Sequence, residues 1–154
     1  IFIPYLAGQQ SPDWNANQRG GFIGLGVEHG AAHLARAVLE GLAFLLYRIA
    51  QAIGPDYRQH LSRIHMSGGI THSDVWLQLA ADVFGCEVLA LENTEGSAKG
   101  SMFLGLLALG LVAKPAELSA LDTDYRVFTP NETNHRTYQG IFGRFEDTLA
   151  RLSH

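Results

Sequence analysis

Cysteine, lysine and contiguous charge are all scarce in this 154-residue sequence. Cys86 stands alone, so no disulfide can form within the chain and the usual four-ligand structural zinc sites are excluded. Lys99 and Lys114 are the only lysines, the nine arginines are scattered, and the net charge is −4. Nucleic acid is therefore not an expected partner, because tight binding needs clustered cations to displace phosphate counterions. Charged residues make up 17% of the chain, against about 25% in a typical globular domain. Surface so poor in charge is expected to have one face covered by something else. Long hydrophobic runs are missing too. The longest, residues 42–52, is interrupted by Tyr47, Arg48 and Gln51, which leaves no span for a membrane. The first residues lack a basic n-region and are cut by Pro4 and Gly8, unlike a signal peptide. A soluble protein of a reducing compartment, the cytoplasm, is expected.

Apolar residues are plentiful at 47%, which rules out intrinsic disorder. Glycine is also enriched, at 17 of 154, so the backbone is asked to bend or to approach something closely. Short strands are expected over residues 1–6 and 21–25, separated by a polar loop containing Ser11, Pro12, Asp13, Asn15 and Asn17. A long helix over residues 30–53 carries Leu34, Val38, Leu42, Leu45, Ile49 and Ala52 at three- and four-residue steps, read as one buried stripe. Arg36 and Glu40 lie one turn apart on another face, where they can pair. Gly54-Pro55 ends this helix.

A strand over residues 63–67 runs into Gly68-Gly69. Thr71 or Ser73 then caps a helix to Phe84, with Val75, Leu79 and Val83 on its apolar side. Gly85 stops it. A strand follows over residues 86–91, then a turn over 92–96, an apolar helix over 97–111, and a loop from Lys114-Pro115. The last amphipathic helix, residues 132–152, places Tyr138, Ile141, Phe142, Phe145 and Leu149 on one side. This order reads as a single three-layer α/β domain.

Two strand-to-helix turns carry the candidate chemistry. The first is Met66-Ser67-Gly68-Gly69-Ile70-Thr71-His72-Ser73; the second is Glu95-Gly96-Ser97-Ala98-Lys99-Gly100-Ser101. Glycines just after a strand let a ligand approach bare backbone, and the following helix offers unpaired N–H groups. Together such turns could grip a flat heterocycle, but a glycine pair after a strand, taken alone, reads first as a tight structural turn. Gly24-Leu25-Gly26-Val27-Glu28-His29-Gly30 imitates a dinucleotide fingerprint, but its last spacing is one residue too long and the next strand ends in Met66-Ser67 without a carboxylate. Nicotinamide binding is rejected on both counts. His29 and His33 are one helical turn apart with no third ligand at a useful spacing, and read as helix-start histidines rather than a metal site. Trp14 reads as a core plug or a lid, Trp76 as packing, and Cys86 as a small core residue. His72 could touch a ligand or simply be exposed.

Taken jointly, the segments resemble the C-terminal domain of the FGGY carbohydrate kinases. Pro4-Tyr5-Leu6-Ala7-Gly8 with Ser11-Pro12 and Trp14-Asn15-Ala16-Asn17 is similar to its opening. Arg19-Gly20, Gly24-Leu25 and His33-Leu34-Ala35-Arg36-Ala37-Val38-Leu39-Glu40-Gly41 resemble its long-helix signature. Ser67-Gly68-Gly69 with Ser73, Trp76, Gln78 and Ala81-Asp82-Val83-Phe84-Gly85 resembles its adenosine segment, and Glu95 through Met102 its later glycine segment. Within the family the Trp14–Asn17 stretch, His29, His33 and the run from Leu104 to Gly110 look closest to gluconate kinases, then xylulose kinases.

The resemblance implies an actin-like ATPase, ribonuclease H-like α/β domain with a central mixed sheet flanked by helices. It implies ATP and Mg2+ as cofactors and a sugar or sugar acid as acceptor. Residues 1–154 would be the nucleotide-binding half, and the catalytic aspartate would lie in an N-terminal domain outside this chain. Carried over by position, Gly69 and Ser73 contact the nucleotide, Gly68 shapes the turn and Gly100 lines the other wall. No residue here inherits a catalytic or metal-binding role, so the isolated domain is expected to be inactive as a kinase. The missing N-terminal domain is the implied partner, and a homodimer is a further candidate. The rival from another class is a non-catalytic actin-like nucleotide-binding or interaction module. Departures from the family pattern are Gln9-Gln10 in place of Glu-Arg, Lys99 in place of leucine, and Ser101-Met102 in place of two alanines.

Overall fold

The computed structural model describes residues 1–54, 61–91, 96–114 and 125–152. Chain order is β1 (Phe2–Ile3), β2 (Gly21–Phe22), α1 (Ala31–Ala52), β3 (Arg63–Met66), a 3₁₀ turn (Gly69–His72), α2 (Asp74–Phe84), β4 (Glu87–Leu91), α3 (Gly96–Ala108), β5 (Tyr125–Phe128) and α4 (Glu132–Leu152). Expected elements that touch Pro55, residues 92–95 and Pro115 fall outside the described residues. The two opening strands are shorter than their sequence patterns, and β5 is an element that those patterns did not reveal.

β1 and β2 form an antiparallel pair, Phe2 opposite Phe22. The other sheet has the order β3-β4-β5. β3 and β4 run parallel, with Met66 opposite Ala90, whereas β4 and β5 run antiparallel, with Ala90 opposite Arg126. Directly opposed residues share a face, so Val88, Ala90, Arg126 and Phe128 all point toward α2. There Met66, Leu77, Ala80, Ala81, Val88 and Ala90 are buried together.

A second cluster joins β1, α1, α2 and α4. Phe44 and Phe145 are fully enclosed, their ring centroids 5.6 Å apart. Tyr47 meets Phe142 edge-on at 4.9 Å, an arrangement that aromatic quadrupoles favour. The stripe expected on α1 is displaced around the helix. Gly41, Ala43, Phe44 and Tyr47 are its buried residues; Leu34, Val38, Leu42, Leu45 and Ile49 are half-buried, and Ala52 is exposed. Gly41 explains the rotation, because a Cβ there would sit 2.4 Å from the Phe2 carbonyl oxygen. Close approach of α1 to β1 is available only on that side.

Polar contacts fasten the periphery. Arg36 Nε donates to Glu40 at 2.9 Å, the expected one-turn pair, and Arg36 also bonds the Tyr138 hydroxyl. Arg48 bonds Glu146 of α4 at 2.7 Å and contacts Asp13 at 2.6 Å. The hydrogen bond from Arg48 holds the Asp13 carboxyl below its ordinary range. Gln9 is buried and its amide donates to Asp13 at 2.5 Å, so the neutral residue at this departure works inside the loop. Buried Asp82 accepts from Gln78, the Asn131 backbone and Asn134, at 2.9, 2.8 and 2.8 Å, and so ties α2 to the start of α4. Trp14 is 74% exposed, which removes the core-plug reading. Trp76 packs against the aromatic cluster, and Val75, placed by sequence on the apolar side of α2, is exposed.

Candidate nucleotide-binding turn

β3 ends at Met66 opposite Ala90, one residue before the end of β4. Parallel neighbours finish at the same edge of the sheet, so the turn after β3 opens at its carboxyl end, where β4 also finishes. Ligands of α/β sheets collect there. Gly68 takes φ +83°, a left-handed conformation that side chains resist. Its carbonyl accepts the Thr71 N–H at 3.0 Å and the Thr71 hydroxyl at 2.8 Å. Thr71 itself is buried, so this short loop is rigidly tied despite its glycines.

Ser73 caps α2, its Oγ accepting the Trp76 N–H at 3.3 Å. The hydroxyl proton stays available to donate outward. Asp74 occupies the first helical turn, where a negative charge complements the helix dipole. From β5, the Arg126 guanidinium donates to the Thr71 carbonyl and to the Asp74 carboxylate, and lies 5.7 Å from the Phe128 ring centroid. Sequence patterns did not single out Arg126; its signal would have been the alternation Tyr125-Arg126-Val127-Phe128.

Gly68, Gly69 and Ser73 therefore fall within one bonded turn, and Gly100 lies in the second turn of α3. A Cβ placed on Gly68, Gly69 or Gly100 would meet no atom within 4 Å, so all three present open backbone. Beside the first turn is an apolar cavity of about 420 Å³ whose lining includes Ile49, Ile53, Met66, Ser67 and Ile70. Ser67 and Ile70, which flank the two glycines, reach this recess, whereas Gly68, Gly69 and Ser73 are not among its lining residues. Glu95, in the expected second turn, lies outside the described residues. Met102 is half exposed, and His72 is exposed.

His29 and His33 approach edge-on at 5.4 Å, but their Nδ1 atoms accept backbone N–H groups of Gly26 and Gly30 at 2.7 and 3.2 Å. Both act as local caps. Among the described residues no group of three His, Cys, Asp or Glu could hold a metal ion, and no helix is long and apolar enough to cross a membrane.

The FGGY family of carbohydrate kinases, C-terminal domain, matches residues 1–109. The gluconokinase of Bacillus subtilis is 37% identical over 99% of this chain and 29% of its own length. A xylulose kinase of Staphylococcus epidermidis is 36% identical over 95% of this chain and 29% of its own. The structures of a xylulose kinase and a gluconate kinase from Lactobacillus acidophilus superpose with TM-scores of 0.90 and 0.89, each at 33% identity over 99% of this chain and 31% of theirs. The chain thus spans about 30% of the length of the relatives it matches. Its fold is theirs, an actin-like α/β domain with a mixed sheet. By sequence and by fold, this chain belongs to the C-terminal domain of the FGGY carbohydrate kinases.

Proposed function

We propose that this chain supplies the adenine-nucleotide half of an ATP-dependent kinase whose acceptor is a sugar acid of the gluconate type. The observation that carries the reading is the open glycine backbone at Gly68 and Gly69, leading directly into a capped helix at the carboxyl end of a parallel strand pair. Gly69 presents its backbone to the nucleotide, Gly68 supplies the turn, the Ser73 hydroxyl donates, and Gly100 forms the facing wall. Mg2+ accompanies the nucleotide phosphates, and no residue of this chain is assigned to it. Phosphoryl transfer is chiefly positioning and charge stabilisation, with a carboxylate to orient the attacking hydroxyl. That carboxylate and the rest of the cleft belong to an N-terminal domain of a longer polypeptide, so the chain alone does not phosphorylate sugars. Buried, unpaired Cys86 suits a reducing compartment such as the cytoplasm.

The similarity to gluconate kinases supports the first choice of acceptor. A pentulose of the xylulose type is the second reading, supported by xylulose kinases of nearly equal similarity. Gly69→Val tests the pocket, because the added side chain would meet no protein atom near its Cβ and would occupy ligand space instead. Titration with Mg-ADP followed by NMR should move resonances of residues 68–73 and Gly100, and the variant should lose those shifts while keeping its fold. An unchanged affinity in Gly69→Val overturns the assignment. Sugar phosphorylation by the isolated chain overturns the division of labour.

A further inference from the structure

We infer that Arg126 is a positioning residue for nucleotide binding: its guanidinium clamps the Gly68–Ser73 turn from β5, on the far side of β4. The inference rests on the nucleotide reading of that turn. Arg126 is opposite Ala90 on β5 and faces α2. From there it donates to two acceptors on consecutive parts of the site, the Thr71 carbonyl in the 3₁₀ turn and the Asp74 carboxylate at the start of α2. Thr71 passes the constraint on, because its amide and hydroxyl both reach the Gly68 carbonyl, at 3.0 and 2.8 Å. A continuous path of hydrogen bonds therefore runs from β5 to the glycine whose peptide plane sets the open backbone.

The Asp74 contact has an electrostatic consequence as well. Asp74 is exposed beside the helix entrance, and its charge would repel an anionic ligand arriving there. Arg126 pairs with that charge and leaves the entrance less hostile to phosphate. The geometry asks for arginine rather than any cation. A planar fork can hold a carbonyl and a carboxylate together, whereas an ammonium acts as a single compact charge.

The test compares Mg-ADP affinity by NMR titration for the wild-type chain, Arg126→Gln, Arg126→Lys and Gly69→Val, with amide exchange at Thr71 followed in parallel. Arg126→Gln and Arg126→Lys should each weaken affinity by about tenfold, equivalent to about 1.4 kcal/mol. Both should speed exchange at Thr71, whose amide donates to the Gly68 carbonyl, while amides of β4 and α4 keep their protection. Full affinity in Arg126→Lys would show that charge alone matters and would overturn the clamp. Affinity within twofold of wild type in Arg126→Gln, with Gly69→Val still defective, would also overturn it and leave the nucleotide reading standing. A wild-type chain that binds no better than Gly69→Val removes the nucleotide reading, and the clamp's proposed role with it.

Discussion

The two helices that follow β3 and β4 in the chain are anchored very differently. α2 is entered through a turn tied by Thr71, Ser73 and Arg126, and it buries Leu77, Leu79, Ala80, Ala81 and Val83. α3 is as apolar in composition, yet Leu104 is 70% exposed and Met102 half exposed, and Leu109 just past its end is 75% exposed. The difference lies in arrangement. Apolar residues of α2 fall along one broad side, opposite Asp74, Val75 and Gln78, so one orientation covers nearly all of them. In α3, Lys99 and Gly100 fall within the same arc as Met102, Phe103, Leu104, Leu106 and Leu107, so the helix presents no clean apolar side to a neighbour. Apolar content commits a helix to contact; only periodicity says on which side.

The sharpest way to break this contrast is a pair of truncations. Leu77 is completely buried, and Leu77→Ala removes a side chain from a close-packed cluster, with an expected cost of about 2–5 kcal/mol. Leu104→Ala, on α3, should stay within about 0.5 kcal/mol. Urea denaturation measures both. Equal losses would mean that α3 is packed in solution as firmly as α2.

The same logic explains which features are legible in the sequence. The first glycine turn was legible because its markers are contiguous: a strand, two glycines, then a cap. α4 was legible because Tyr138, Phe142, Phe145 and Leu149 repeat cleanly among polar residues, and all four are buried. The buried side of α1 was not, since Leu42, Ala43, Phe44, Leu45 and Leu46 are consecutive apolar residues and several stripes fit them. Gly41 against Phe2 decides among those stripes, and that is a tertiary contact. β5 is four residues long and sits among Asp122, Thr123, Asp124, Thr129 and Pro130, so its period is too brief to stand out. Arg126 was hidden with it, its partner Thr71 lying 55 residues away in sequence.

A smaller effect is expected at the entrance of α2 itself. Ser73→Ala removes the cap on the Trp76 amide and should cost about 1 kcal/mol. It should also weaken Mg-ADP binding, because the outward donor disappears together with the cap. Ser73→Asn restores a capping side chain; it should recover most of the stability without recovering the hydroxyl donor. If Ser73→Ala lowers stability but leaves nucleotide affinity unchanged, Ser73 is a cap only and drops out of the binding set.

The exit of α2 offers the mildest test, one of pH. Cys86 follows the Gly85 stop and is buried. Burial, with a lesser push from the charge of Glu87, raises its thiol to about 11, whereas an unfolded cysteine ionises near 8.5. The folded state therefore favours the neutral thiol. Its contribution to stability is complete below about pH 8.5 and is lost as pH rises toward 11, because the unfolded chain releases its proton first. Iodoacetamide at pH 8 should leave Cys86 unmodified in the native protein and alkylate it in urea. Rapid alkylation of the native chain would mean that the junction between α2 and β4 opens readily, and that the firm anchoring of α2 does not extend past Gly85.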